Sequence, residues 1–236
     1  MIATLRFCML LLVAAAGLHA EASEPQFDPV IQELEGWKVH VDPALLTDDP
    51  ASEERRSLRM LENHLNFIAL LVPEDRLVEL RTCEIWIERE HPSLKNMQYH
   101  PGKQWLIDHG HDPRLTKKVH IPVARQLIAR HQLLKHPMVV LHELAHAYHD
   151  QILGFDEARI KAAYEAAKKA GKYRNVLLYN GRRVLHYGMT NPKEYFAEGT
   201  EAYFNRNDFY PFVRAELKEH DPGFHEVLVE IWGDLR

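Results

Sequence analysis

The chemistry-bearing stretch is residues 138–150, Met-Val-Val-Leu-His-Glu-Leu-Ala-His-Ala-Tyr-His-Asp. It holds the pattern H-E-x-x-H at His142, Glu143 and His146, with no Gly or Pro after Pro137. On an α-helix, residues four apart share a face, so His142 and His146 can offer imidazole nitrogens to one metal ion. Glu143 sits about 100° further round the helix, where it can reach a water beside that ion without joining the ligands. The apolar run 138–141 and the residues Leu144, Ala145 and Ala147 mark a helix buried on most sides. Two imidazoles and a carboxylate in such a setting need partners, because an unpaired buried polar group costs about 1–3 kcal/mol.

A catalytic zinc ion takes three protein ligands and leaves its fourth position to water. The third ligand is sought in residues 186–204, His-Tyr-Gly-Met-Thr-Asn-Pro-Lys-Glu-Tyr-Phe-Ala-Glu-Gly-Thr-Glu-Ala-Tyr-Phe. Asn191 is a favourable N-cap and Pro192 suits the first helical position, so a second helix is expected to begin there. Glu194 and Glu198 share one face of it. Glu194 is the candidate third ligand, and Glu198, one turn later, is the candidate partner for a free ring N–H of His142 or His146.

These two segments resemble the gluzincin metallopeptidases of the anthrax lethal factor type, a group that includes the secreted Pro-Pro endopeptidases. The likeness lies in H-E-L-A-H followed by Y-G-M-T-N-P-K-E-Y-F-A-E, in matching order and spacing, and it covers about residues 138–204. The resemblance implies zinc ligands His142, His146 and Glu194, Glu143 as general base, Tyr187 as a transition-state hydroxyl and Glu198 as the outer carboxylate. It implies an α+β, zincin-like fold: a small mixed sheet, an active-site helix and a mainly helical C-terminal half. A substrate does not carry over from family likeness.

The positioning elements can be read from periodicity. Residues 37–41 alternate as a strand, and Leu58, Leu61, Leu65, Ile68 and Leu71 line one face of a helix over 51–72 that Pro73 ends. A shorter helix and a strand over 83–88 follow. Residues 91–112 read as irregular, with His100, His109 and His111 expected as solvated loop histidines. Residues 118–122 form a short strand that Pro122 assigns to a sheet edge, where an extended peptide could add by β-augmentation. A helix over 125–134 leads into the active-site helix, which Gly154 is expected to cap. A surface helix spans 156–170. Asn180-Gly181 between two strand-like runs over 176–185 signals a hairpin, and this hairpin delivers Tyr187 ahead of the Glu194 helix. A tail helix covers 222–232.

Residues 1–22 read as a secretory signal: Arg6, a short apolar run over 7–18 and small residues before Ala22. Residues 23–236 then form one domain, with 23–36 as a tether. Cys8 leaves with the signal, and Cys83 remains alone, so no intrachain disulfide is expected. A net charge of −5 gives no reason to expect nucleic acid or an anionic membrane as partner. The expectation is an exported (secreted or periplasmic), monomeric zinc endopeptidase acting on peptide or protein, without stable membrane insertion once the signal is cleaved. A non-catalytic zinc-stabilised binding module and a zinc hydrolase of non-peptide amides are the alternatives.

Overall fold

The structure is a computed structural model that describes residues 26–235; the expected signal over 1–22 lies outside them. The chain is a mixed α+β protein with a small mixed sheet. In chain order, β1 is Val30–Leu34, β2 Trp37–Val41, α1 Glu53–Leu71, α2 Glu74–Leu80, β3 Ile85–Ile87, β4 Gln98–Tyr99, α3 Lys103–Asp108 and β5 Val119–Ile121. There follow α4 Arg130–Lys135, α5 Val139–Tyr148, α6 Ala158–Ala170, β6 Val176–Leu177, β7 Arg183–Val184, α7 Pro192–Phe204, α8 Arg214–His220 and α9 Pro222–Trp232. No helix among the described residues is long and apolar enough to cross a membrane.

The five-stranded sheet has the order β1-β2-β3-β5-β4, with β2, β3 and β5 parallel and the two outer pairings antiparallel. Two expectations change here. Residues 30–34 are not a tether: they form β1, joined to β2 through Glu35 and Gly36, whose φ values of 52° and 88° are those a tight two-residue hairpin demands. Residues 119–121 are not an edge: β5 pairs on both sides, and the edge next to it is β4. Pro122 follows the last paired residue, so its missing N–H breaks no ladder bond.

Alternation of side chains gives the sheet two different faces. Val39, Val41, Ile85, Ile87, Val119 and Ile121 are buried in the main core together with Leu58, Leu61, Leu65 and Ile68 of α1 and Val140, Leu141 and Leu144 of α5. His40, Trp86 and His120 lie on the opposite face. There Trp86 joins Leu106 and Leu115 in a separate small apolar cluster under residues 103–116.

Sequence signals explain the helix ends. The Ser52 hydroxyl caps α1, and Gly171 at φ 68° ends α6 in the left-handed conformation. Asn191 accepts from the N–H groups of Lys193 and Glu194 at the start of α7. Helix α5, which carries His142, Glu143 and His146, runs into a π-turn over His149–Leu153 before Gly154 at φ 82°. The helix expected over 125–134 is a 3-10 turn, Ala124–Ile128, followed by α4.

Helix α7 is buried from Tyr195 to Phe204. α5 packs on one side of it and α8 and α9 on others. Gly199 marks the closest approach: a Cβ there would collide with the Phe224 ring of α9. That ring is buried and stacked on Tyr195 with centroids 3.8 Å apart, so it has nowhere to go. Gly199→Ala is therefore expected to destabilise the protein, the overpacking cost of about 1–3 kcal/mol outweighing the roughly 1 kcal/mol that alanine gains in helix propensity. A denaturant midpoint at or above that of the parent would show that Phe224 yields freely and that the contact does not set the α7–α9 distance.

Candidate metal centre and cleft

Helices α5 and α7 lie against one another and bring three donor atoms together. His142 Nε2 and His146 Nε2 are 3.2 Å apart, and Glu194 Oε2 lies 3.3 Å from each. This triangle has the size of one face of a tetrahedron around an ion bound at 2.0–2.1 Å, whose donor–donor spacing is about 3.3 Å. Glu194 Oε2 is buried and makes no hydrogen bond, so the atom aimed at the centre of the triangle lacks the partner that burial demands. Donor identity, spacing and the orphaned oxygen all fit a divalent metal ion. Two imidazoles and a carboxylate are a donor set for zinc and its transition-metal neighbours rather than for calcium or magnesium.

The carboxylate behind the metal ligands is Glu201, not Glu198. Glu201 Oε1 lies 2.6 Å from His142 Nδ1, whereas Glu198 Oε1 is 4.0 Å away. Both positions follow from Glu194, four and seven residues on, and share its face of α7. The crossing of α7 over α5 brings the later turn onto the ring. The same Glu201 oxygen meets His136 Nε2 at 2.9 Å, so one buried carboxylate ties together an imidazole before α5 and one within it. His136, His142 and Glu201 also group their donor atoms, but at hydrogen-bond distances, and His142 takes part through its other nitrogen.

The electrostatics follow from burial and crowding. Burial alone would lower the His142 pKa; the carboxylates of Glu194 and Glu201 at its two nitrogens outweigh this and raise it well above the ordinary histidine value. The two imidazoles beside Glu194 likewise overcome its burial and hold its carboxyl below the usual range. His136 and His142 do the same for Glu201. Glu198 is pushed well above the carboxylate range, first by burial and then by the Glu201 charge. Its side chain, in the wall of the cleft, therefore favours the neutral form.

A cleft of about 450 Å³ opens onto His142, and Glu143, Tyr187 and Glu198 face it together with Met97 and Lys135. Tyr187 sits half exposed in the 3-10 turn Tyr187–Thr190. That turn is held by His186 Nδ1, which accepts from Gly188 N at 2.9 Å, and by Thr190 Oγ1, which donates to Tyr187 O at 2.7 Å. Burial first, and then the Glu194 charge, raise the Tyr187 pKa, so its hydroxyl keeps its proton. Each residue expected at the site thus has a place: His142, His146 and Glu194 converge, while Glu143 and Tyr187 line the adjoining cleft. Glu201 and His136 were not anticipated. The i, i+7 relation of Glu194 and Glu201 was the available signal for the first, and none pointed to His136. Comparison with family models, curated proteins and solved structures finds no match to this chain.

Two outcomes follow. Glu201→Ala frees the His142 ring and leaves His136 without its acceptor, so zinc affinity is expected to fall about 10–100-fold; chelator competition giving an unchanged affinity would remove Glu201 from the site. Because the carboxylates at both nitrogens favour the protonated His142 ring, the ion competes with a proton for it, and affinity should rise with pH by about tenfold per unit for each proton displaced. Calorimetry in buffers of different ionisation enthalpy reads that proton release directly; a heat independent of buffer would contradict the assigned state of His142.

Proposed function

We propose that this chain is a zinc-dependent endopeptidase with a zincin-like catalytic domain of the gluzincin type. The observation that carries the reading is the His142–His146–Glu194 triangle beside a cleft that His142 lines together with Glu143 and Tyr187. A purely structural zinc site is closed by four protein ligands, whereas three donors beside a cleft leave a position for reactants.

His142, His146 and Glu194 would hold the zinc ion, which would supply Lewis acidity and lower the pKa of a water toward neutrality. Glu143 takes the proton of the attacking water and passes it to the leaving amine, the two halves of general base and general acid work. Tyr187, kept protonated, donates its O–H to the oxygen on which negative charge develops. Glu201 fixes the His142 ring so that Nε2 points into the triangle.

The cleft has a wall suited to an extended chain. β4 is the edge strand of the sheet, paired only with β5 among the described residues, and Asn96 and Met97 just before it line the cleft. An unpaired strand edge can hydrogen-bond the backbone of a peptide laid alongside it, which holds a scissile bond near the donors without demanding particular side chains. In this reading the peptide would add at β4, the observed edge, rather than at residues 118–122. An exported protein acting on peptide or protein substrates is consistent with the reading.

The test is mass-spectrometric cleavage profiling of a diverse peptide mixture with zinc-loaded protein. Glu143→Ala is expected to abolish the cuts, at least about 10²–10⁴-fold, with zinc content unchanged. Retained cleavage by this variant would sink the assigned base, and no cuts by the parent would sink the peptidase reading. Tyr187→Phe should lower kcat by about 10²–10³-fold with little change in KM, as loss of a donor to a developing oxyanion does; unchanged turnover would exclude Tyr187 from the mechanism.

A further inference from the structure

The irregular segment after β3 covers the sheet face opposite α1 and α5. Its apolar anchorage is slight: only Leu106 and Leu115 are buried against Trp86, with Phe27 at the margin. In place of a larger apolar layer the same region buries Glu88, His91, His100, His111 and His120, which come from five separate points of the chain. His100 and His111 were expected in solvent, and of the three loop histidines only His109 is exposed. Buried imidazoles are costly unless each finds a partner.

The hydrogen bonds fix the tautomers. Glu88 Oε1 takes the Trp86 Nε1–H at 3.0 Å, and since indole can only donate, that oxygen is an acceptor. It also lies 3.0 Å from His120 Nε2, which carries the proton when Glu88 is ionised. His120 Nδ1 is left with a lone pair, and it faces His100 Nε2 at 3.1 Å. His91 is different: its Nδ1 accepts from the backbone N–H groups of Ser93 and Leu94 at 3.2 and 3.0 Å, so its proton is on Nε2 and it offers no lone pair to the cluster. The ring nitrogens of His111 hydrogen-bond to no described residue. Glu88 Oε2 is buried with no partner.

This arrangement repeats that of the cleft. There a buried glutamate holds one nitrogen of His142 while the other stands 3.2 Å from His146 Nε2; here a buried glutamate holds one nitrogen of His120 while the other stands 3.1 Å from His100 Nε2. A carboxylate behind an imidazole orients the ring and raises its basicity toward a metal. Burial also lowers the pKa of His100 and His120 to about 3 and depresses that of His111, so the neutral rings are favoured and an ion would take the place of the single proton shared between His100 Nε2 and His120 Nδ1.

We propose a second metal site, in which His100 Nε2 and His120 Nδ1 bind a zinc-class divalent ion, Glu88 backs His120, His111 supplies a third donor by a turn of its ring, and water completes the shell. Neutral imidazoles select zinc, cobalt, nickel or copper(II) over calcium or magnesium. The ion pins residues 91–118 to the sheet and does for this loop-rich cover what its three-residue apolar cluster cannot. The site is separate from the cleft and independent of any peptidase activity.

The test is metal content by mass spectrometry of protein equilibrated with zinc and gel-filtered. Unmodified protein should carry two ions per chain. His142→Ala/His146→Ala should keep one, and zinc should protect residues 91–118 of that variant from proteolysis. Adding His100→Gln to it should leave none. In the otherwise unmodified chain, His100→Gln and His111→Ala should each reduce the content from two to one. A folded His142→Ala/His146→Ala protein that binds no zinc would overturn the site and leave His100–His120 as an N–H···N hydrogen bond. Should that double variant fail to fold, the single variants decide: zinc content unchanged by His100→Gln overturns the proposal equally.

Discussion

The constraint on which the rest of the molecule depends is charge neutrality in the contact between α5 and α7. Glu194, Glu198 and Glu201 all turn one face of α7 toward α5, and the last two are fully buried. Three adjacent carboxylates out of water would be untenable without compensation. The compensation is distributed: Glu194 and Glu201 gain the imidazoles of His142, His146 and His136, and Glu198 escapes by holding its proton. The same carboxylates favour the protonated form of His142. A divalent ion held by His142, His146 and Glu194 would supply the positive charge instead, so its binding would be coupled to the stability of this helix pair.

Much of the centre was legible in the sequence because it depends on spacing within single helices. His142 and His146 share a face at i, i+4, and Asn191-Pro192 starts α7 where expected, so Glu194 falls one turn in. What spacing could not give was the offset between the helices. Glu198 and Glu201 both follow Glu194 on the facing side, and only the crossing decides which carboxylate reaches His142 Nδ1. Elsewhere a signal was present and underweighted: Glu35-Gly36 between two short apolar runs is a hairpin turn, and it makes residues 30–34 a strand rather than a tether. The interior position of β5 and the burial of His100 and His111 had no local signal at all. Both arise from pairings across twenty or more residues, which periodicity does not see.

The two faces of the sheet show how a small domain divides its burial. One face is closed by α1 and α5 with continuous aliphatic packing, and it carries the helix that presents His142, Glu143 and His146. The other is closed by a loop-rich segment through Trp86, two leucines and a set of buried polar rings. β4 and β5 join the two: His120 on β5 faces the polar cluster, while Tyr99 on β4 donates to Asp150 at 2.6 Å just beyond α5. A change in how residues 91–118 sit is therefore coupled through two strands to the edge that walls the cleft.

Helices α8 and α9 bear on the donor triangle through α7. Trp232 of α9 donates to Thr200 Oγ1 at 3.0 Å, and Tyr195 donates to Asp221 at 2.6 Å at the start of α9. Both bonds are buried, and both attach to turns of α7 next to Glu194, Glu198 or Glu201. With Phe224 pressed against Gly199 between them, α9 holds α7 along its length in addition to the contact with α5. A ligand triangle with edges of 3.2–3.3 Å tolerates displacements of a few tenths of an ångström. Two helices crossing at one contact would leave α7 free to roll by more than that, and clamping it between α5 and α9 removes the freedom. α8 and α9 thus support the candidate metal centre although none of their residues lies in its donor set.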